Sequence, residues 1–307
     1  MERAPNERGP NSIRPLIYPT IFPDARTSAM VDDGILQTAT VRGGGIYQSI
    51  NAGLDWVELK NSAPWLDIAF SSDGVIQIAT RVSGPDIPAD IGELWQSNDS
   101  GITWGKADLN SSETPYHVNR QGGLAMSGDG VYRYYTYRYG VVRSQDSGLT
   151  WGNIPITGGL AKLGVAVSVD GKHVTVGNRQ GRVHVSNDFG LTYVEKGPIG
   201  GHRTISMSSD GSFQMSVGYQ PGGFDGAIYT TTDYWNTTPT QHLTGVTSWR
   251  TGAMSLDGNV LIAVGFGTSV YMSIDRGATW APNTQFTSLE IIYKFALSQD
   301  GTFIAAI

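Results

Sequence analysis

The sequence contains no cysteine, which excludes disulfide frameworks and thiolate metal sites. Charged residues are scarce at 16% of the chain, against roughly 25% in an ordinary globular domain. No apolar run approaches the ~20 residues of a membrane-spanning helix, so membrane insertion is not expected. An excess of basic residues is also missing: the formal net charge is −6, which argues against a nucleic-acid binder. The opening stretch MERAPNERGPNSIRP is polar and proline-rich and does not read as a secretory leader. Five histidines, His117, His173, His184, His202 and His242, show no metal-ligand spacing. Phosphate-binding loops and G-x-S-x-G elbows are lacking. No metal or cofactor is implied.

Glycine, by contrast, is abundant, with 40 among 307 residues, nearly twice the usual ~7%. Hydrophobic residues at 39% are too many for a wholly disordered chain. The glycines fall into a repeat. Asp-Gly, preceded by an apolar stretch, recurs at Asp33, Asp73, Asp129, Asp170, Asp210, Asp257 and Asp300. Successive copies lie 40 to 56 residues apart, in the range of four-stranded propeller blades, ~40–50 residues each.

A second repeat lies between these marks. It reads SINAGLDW (Ser49–Trp56), SNDSGITW (Ser97–Trp104), SQDSGLTW (Ser144–Trp151), SNDFGLTY (Ser186–Tyr193) and SIDRGATW (Ser273–Trp280). A degenerate copy, TTDYWNTT (Thr231–Thr238), lacks the glycine. Short Ser and Asp side chains hydrogen-bond backbone N–H groups across tight turns. Glycine takes positive φ without strain, and Trp buries a large flat surface. The pattern resembles the Asp-box, S-x-D-x-G-x-T-W, of sialidases, sortilin-type receptors and many viral β-propellers. Asn51, Asp99, Asp146, Asp188, Asp233 and Asp275 occupy its acidic position. These residues read as structural, because the alternating oxygen ligands of a calcium loop are missing.

The resemblance implies an all-β fold: a seven-bladed β-propeller of four-stranded antiparallel blades, with six blades as the alternative. Six blades are complete in the sequence. The seventh has two strands, within Ile292–Ser298 and Thr302–Ile307. Closure by an N-terminal strand from Ser12–Phe22 would avoid an open sheet edge. Residues 1–11 read as an extended polar arm and residues 12–307 as one propeller domain.

This topology sorts residues by face. The Asp-Gly turns and the box aspartates share one end of the channel. Counting back seven residues from each Asp-Gly aspartate reaches the opposite mouth, at Arg26, Leu66, Gly122, Leu163, Arg203, Arg250 and Tyr293. Trp65, Arg120, Lys162, His202, Trp249 and Lys294 stand beside them. Connections between second and third strands add Arg42, Arg81, Arg138, Arg179 and Arg182, and the run VYRYYTYRYG adds Tyr137 and Tyr139 at the rim. Tyr132, Tyr134 and Tyr135 are expected to pack between blades, and the long connection Arg81–Leu94 to project as a contact loop. An acidic protein is thus expected to carry a basic face that attracts carboxylates, sulfates, phosphates or an acidic protein surface.

The sialidase pattern implies three arginines on a carboxylate, for which Arg26, Arg203 and Arg250 are candidates, and a tyrosine nucleophile, for which Tyr293 is the candidate. The sequence departs from that pattern. The loop that should carry the acid/base aspartate is Gly43-Gly44-Gly45, and Glu290 and Tyr293 alternate to opposite strand faces. A non-enzymatic reading is therefore preferred. The chain is most similar to Asp-box propellers of viral and phage structural proteins. Gln37, Gln77 and Gln214 follow their Asp-Gly aspartates by four residues, and Ile46-Tyr47, Ile228-Tyr229 and Val270-Tyr271 precede their boxes. That resemblance implies a virion component, phage tail or capsid-associated, acting as a docking or receptor-binding platform. Its partners would be other virion or assembly proteins, met through the arm or a propeller face, or an anionic glycan. The alternatives are a carbohydrate-binding or sialidase-like protein and, by resemblance to photosystem assembly factors, an assembly-docking protein.

Overall fold

The computed structural model describes residues 14–17, 25–31, 33–41, 43–61, 63–82, 92–109, 122–137, 140–156, 162–219, 226–243, 249–265, 269–286 and 292–306. For residues 14–17 and 25–28 it describes the backbone. The described residues form β-strands and a single 3-10 turn at Thr284–Phe286.

Four sheets have four antiparallel strands each, paired in chain order. They begin at the inner strands Ala25–Met30, Trp65–Phe70, Leu124–Met126 and Trp249–Met254. A seven-stranded sheet runs from Lys162–Val167 to Thr240–His242. The sequence suggests two separate blades there, but one 14-residue strand, Val194–Met207, serves both. Its Gly200 pairs with Gly181 and its Gly201 with Tyr219. A Cβ on Gly201 would lie 2.2 Å from the Tyr219 ring, so glycine lets the strand pass from one pairing to the next without a loop. The remaining sheet joins Phe295–Leu297 to Phe303–Ala306 antiparallel. Arg14–Ile17 is its third strand, parallel to Phe303–Ala306 in the register Arg14↔Phe303 to Ile17↔Ala306.

Each inner strand lies against the inner strand of the next sheet, and Phe295–Leu297 lies against both Trp249–Met254 and Ala25–Met30. The core fills the spaces between sheets. Second strands such as Gln37–Val41 and Leu261–Gly265 are buried at every position, because neighbouring sheets cover both faces. Ile78, Leu94, Tyr135, Val142 and Trp151 make one such inter-sheet cluster. Full burial of each aliphatic or aromatic side chain contributes roughly 1.5–3 kcal/mol.

The Asp-Gly turns lock the sheets together. Ser71 Oγ donates to Asp73 Oδ1 at 2.5 Å and accepts from Ile76 N at 3.0 Å. The same serine–aspartate bond recurs at Ser127, Ser168, Ser208, Ser255 and Ser298. All seven turn glycines have positive φ. Each receives a side chain from the preceding sheet: Leu36 lies on Gly74, Ile76 on Gly130, Tyr132 on Gly171, His173 on Gly211, Phe213 on Gly258, Val260 on Gly301, and Phe303 on Gly34. A Cβ at Gly171 would meet the Tyr132 ring at 2.5 Å. The turns are also bonded to one another. Ser72 N donates to Gly128 O, Gly128 N to Val169 O, Val169 N to Ser209 O, and Ser209 N to Leu256 O.

Candidate functional site at the channel mouth

Two ends of the molecule carry polar clusters, and they differ chemically. At the turn end, the S-x-D-x-G-x-T-W segments form a closed set of hydrogen bonds. Ser97 Oγ donates to Asp99 Oδ1 at 2.8 Å and accepts from Gly101 N at 2.9 Å. Asp99 accepts from Thr103 N at 2.8 Å and Thr103 Oγ1 at 2.5 Å, and Trp104 Nε1 donates to Gly101 O at 2.9 Å. Asp146, Asp188 and Asp275 repeat the bonds to serine and threonine, and Asp233 does so with Thr231 in place of serine. Bonds from the Thr279 hydroxyl and amide hold the Asp275 carboxyl down to about 2. Asn51 fits by an exchange: its Nδ2 donates to Asp55 Oδ2 at 2.8 Å, where the other copies have aspartate accepting from threonine. These side chains are occupied in shaping turns.

The other end is built from β-bulges. In the inner strands, pairing slips by one residue between Ala25 and Thr27, Trp65 and Asp67, His202 and Thr204, and Trp249 and Thr251. The extra residues are Arg26, Leu66, Arg203 and Arg250, four of the positions reached by counting back from the turns. A bulge leaves its extra residue outside the ladder and re-aims its side chain. At three of the bulges the preceding residue is turned into the core instead. Trp65 and Trp249 are 0% exposed and His202 is 1% exposed. His202 Nδ1 contacts Ser216 Oγ at 2.7 Å and Nε2 contacts Pro198 O at 3.1 Å, and burial pushes its pKa down to about 4.

A cavity of about 340 Å³ opens among the inner strands, lined by residues that include Asp67, Arg203, Thr251, Tyr293 and Lys294. Gly122, Gly123, Gly164 and Gly252 also line it. A Cβ on Gly164 would lie 2.9 Å from Ile205 N, so glycine is what allows these backbones to converge. Lys294 donates to Asp67 Oδ1 at 2.5 Å, linking the sheet that begins at Trp65 to the one that begins at Phe295. Asp67 also accepts from Ile68 N at 2.9 Å and Leu124 N at 3.1 Å. Its charge is therefore taken up by one ammonium and two amides. Arg203 lies over the Tyr219 ring at 5.4 Å and Arg250 over the Tyr293 ring at 4.2 Å. Burial lowers the Arg203 pKa; Tyr219 opposes this, and the Arg179 and Arg250 charges lower it further. Thr251 Oγ1 is buried without a hydrogen-bond partner among the described residues.

The remaining rim candidates divide. Arg179 and Arg182 are exposed, and Arg182 Nη1 donates to Gly197 O. Tyr293 is 38% exposed. Arg81 is paired with Glu93 at 2.5 Å and stacks on Trp95 at 4.8 Å, so it is engaged by a local carboxylate. Three positions expected to face a ligand are corrected. Trp65 packs edge-on to Trp95 with centroids 6.2 Å apart, Trp249 packs edge-on to Tyr271, and Tyr137 is 6% exposed with its hydroxyl donating to Asn153 Oδ1 at 2.8 Å. Tyr134 and Tyr135 are buried and Tyr132 stacks on Phe189, as expected. Arg42, Arg120, Arg138, Tyr139, Glu290 and the arm lie outside the described residues. The sequence reading did not single out Asp67, Tyr219 or Thr251; an aspartate within the inner strand WLDIAF was the available signal.

A second cavity, about 520 Å³, lies beside the strand Gly152–Pro155 and includes Ile154, Ile156, Leu191 and the His184–Glu195 pair. The His184–Glu195 separation is 3.4 Å. Asn178 Nδ2 donates to Arg182 O, and it also contacts His184 Nδ1 at 3.0 Å. His184 Nδ1 thus accepts and Nε2–H faces Glu195. The Asn178, His184 and Glu195 side chains engage one another here. No cluster of three or more His, Asp or Glu suited to a metal occurs among the described residues.

No protein-family model matches the chain, and no curated protein matches it in sequence. Solved structures are similar in fold. A GH74 xyloglucanase from Xanthomonas campestris aligns with TM-score 0.70 and 18% identity over 90% of this chain and 49% of its own. The chain thus spans about half the length of that enzyme. YCF48 from Cyanidioschyzon merolae aligns with TM-score 0.63 and 14% identity over 90% of this chain and 91% of its own. Hydrazine synthase from Kuenenia stuttgartiensis gives TM-score 0.58 and 14% identity over 78% and 72%. At such identities the likeness concerns fold alone. The class is that of the β-propellers, all-β with four-stranded antiparallel sheets.

Proposed function

We propose that the chain is a seven-bladed, non-catalytic binding platform whose basic channel mouth faces its ligand and whose turn end is structural. Seven turn glycines, each covered by the preceding sheet and the first covered by Phe303, favour seven blades over six. The parallel pairing of Arg14–Ile17 with Phe303–Ala306 favours closure by the N-terminal segment. The observation that carries the functional reading is the set of bulges presenting Arg203 and Arg250 beside an open cavity, because function concentrates where a rigid scaffold presents exposed groups.

On the resemblance to viral Asp-box propellers, the platform is a virion component, docking through residues 1–11 or one face and engaging a partner or glycan through the other. Purified particles should retain the full chain and lose a chain lacking residues 1–11. Recovery of the protein only as a free monomer would overturn the virion reading. The second reading is a glycan-binding propeller, favoured by the fold shared with a xyloglucanase. Saturable binding of acidic oligosaccharides without turnover would support it. Sialoside turnover that disappears in Tyr293→Phe would sink the non-catalytic reading.

A further inference from the structure

We infer that the channel-mouth cavity binds one small oxyanion group, a carboxylate or a sulfate, held by the Arg203 guanidinium, the Lys294 ammonium and the Thr251 hydroxyl. The inference rests on the proposal that this mouth is the ligand-facing end.

Four observations carry it. First, the charged side chains lining the cavity are two cations, Arg203 and Lys294, and one carboxylate. That carboxylate, Asp67, is already met by Lys294 and two backbone amides. An ammonium has three donors, so Lys294 can hold Asp67 and still face a ligand. Second, the Thr251 hydroxyl is buried in the cavity lining with no partner among the described residues. A buried hydroxyl left unsatisfied costs about 1–3 kcal/mol, and a ligand oxygen would satisfy it. Third, Arg203 stands at a bulge that removes it from the ladder, and Arg250 stands at the equivalent bulge one sheet on. Arg250 lies over Tyr293, itself a lining residue, so its charge adds to the field without filling the space. Fourth, the Arg179 and Arg250 charges repel that of Arg203, which is partly desolvated. An anion placed among them relieves that repulsion, and low local dielectric strengthens the attraction.

The group could belong to a free small anion or to an acidic saccharide, and titration separates the two. Sodium sulfate, glucuronate and glucose are each titrated calorimetrically into the full chain at low salt. Sulfate and glucuronate should each bind saturably, one per chain, with glucose silent. Glucuronate at least about tenfold tighter than sulfate assigns a saccharide; equal affinities assign a free oxyanion. Arg203→Gln should weaken both anions at least about tenfold, and Thr251→Val should weaken them measurably. Lys172→Gln, on a turn at the other end, should leave them unchanged. Absence of saturable binding to the native chain overturns the inference, as does native affinity in a folded Arg203→Gln. Should Arg203→Gln fail to fold, native affinity in Thr251→Val overturns it instead. Particle association by a native chain that binds neither anion overturns this inference and leaves the platform reading standing.

Discussion

Arg133 and Arg203 are both taken substantially out of water, and they serve opposite ends of the molecule. Arg133 is fully buried near the turn end. Its Nε donates to Gly130 O at 2.8 Å, Nη1 to Gln96 Oε1 at 2.9 Å and Nη2 to Asn98 Oδ1 at 3.2 Å. Burial lowers its pKa to about 10, and Asp146 opposes that. Arg203 is half-buried at the channel mouth, where neighbouring arginines deepen the effect of burial. The Arg133 bonds reproduce what glutamine does elsewhere: Gln37, Gln77 and Gln214 donate to Gly34, Gly74 and Gly211 O. One arginine is a structural substitute for glutamine. The other carries its charge at the channel mouth, where it lies over the Tyr219 ring.

The largest expected effect breaks the structural member. Arg133→Ala leaves three acceptors without their donor and opens a void, so it should destabilise by about 3 kcal/mol or more. Arg133→Gln retains the bond to Gly130 O and should cost about 1–2 kcal/mol. Urea denaturation at pH 7 measures both. Equal losses in the two variants would refute the substitution argument.

His202 gives a pH-dependent version of the comparison, because it anchors the bulge that presents Arg203. Its folded pKa of about 4 lies below the ordinary ~6.5. The unfolded chain therefore takes up the proton first as pH falls. Stability associated with neutral His202 is complete above about pH 6.5 and is lost progressively towards pH 4, by about 3 kcal/mol in all. Stability curves of the native chain and His202→Gln should converge across that window. A constant gap between them would show that His202 does not titrate as described.

Much of this was legible in the sequence because the turn repeat fixes the register. Counting back from Asp210 and Asp257 reached Arg203 and Arg250 without coordinates. Counting could not tell which of two adjacent residues faces outward. A bulge adds one residue and reverses the alternation of sides, so Trp65 and Trp249 entered the core while Leu66 and Arg250 beside them left the ladder. The Asp67–Lys294 pair was hidden for another reason: its members are 227 positions apart, and no local pattern joins them.

At the turn end, the first box tests whether the repeat is chemical rather than literal. Asn51→Asp places a carboxylate opposite Asp55 and should destabilise by about 1 kcal/mol. Adding Asp55→Thr restores the aspartate–threonine pairing of the other boxes and should recover most of the loss. A double-mutant cycle measures this coupling. Strict additivity would mean that the Asn51–Asp55 bond contributes nothing to the turn.

The smallest effect belongs to the other arginine, and its sign matters more than its size. Arg203→Gln removes a partly desolvated charge that two neighbouring guanidiniums repel. It also gives up the stacking of Arg203 on Tyr219, worth about 0.5–1 kcal/mol. The two changes oppose, so stability at physiological salt should move by less than about 1 kcal/mol. Ionic strength separates them, because salt screens repulsion between charges that retain contact with solvent. The native chain should gain stability as sodium chloride is raised from 20 to 200 mM, taken as roughly a threefold shortening of the screening length. Arg203→Gln should gain less. An equal gain in both would place the repulsion elsewhere and remove the electrostatic distinction between Arg203 and Arg133.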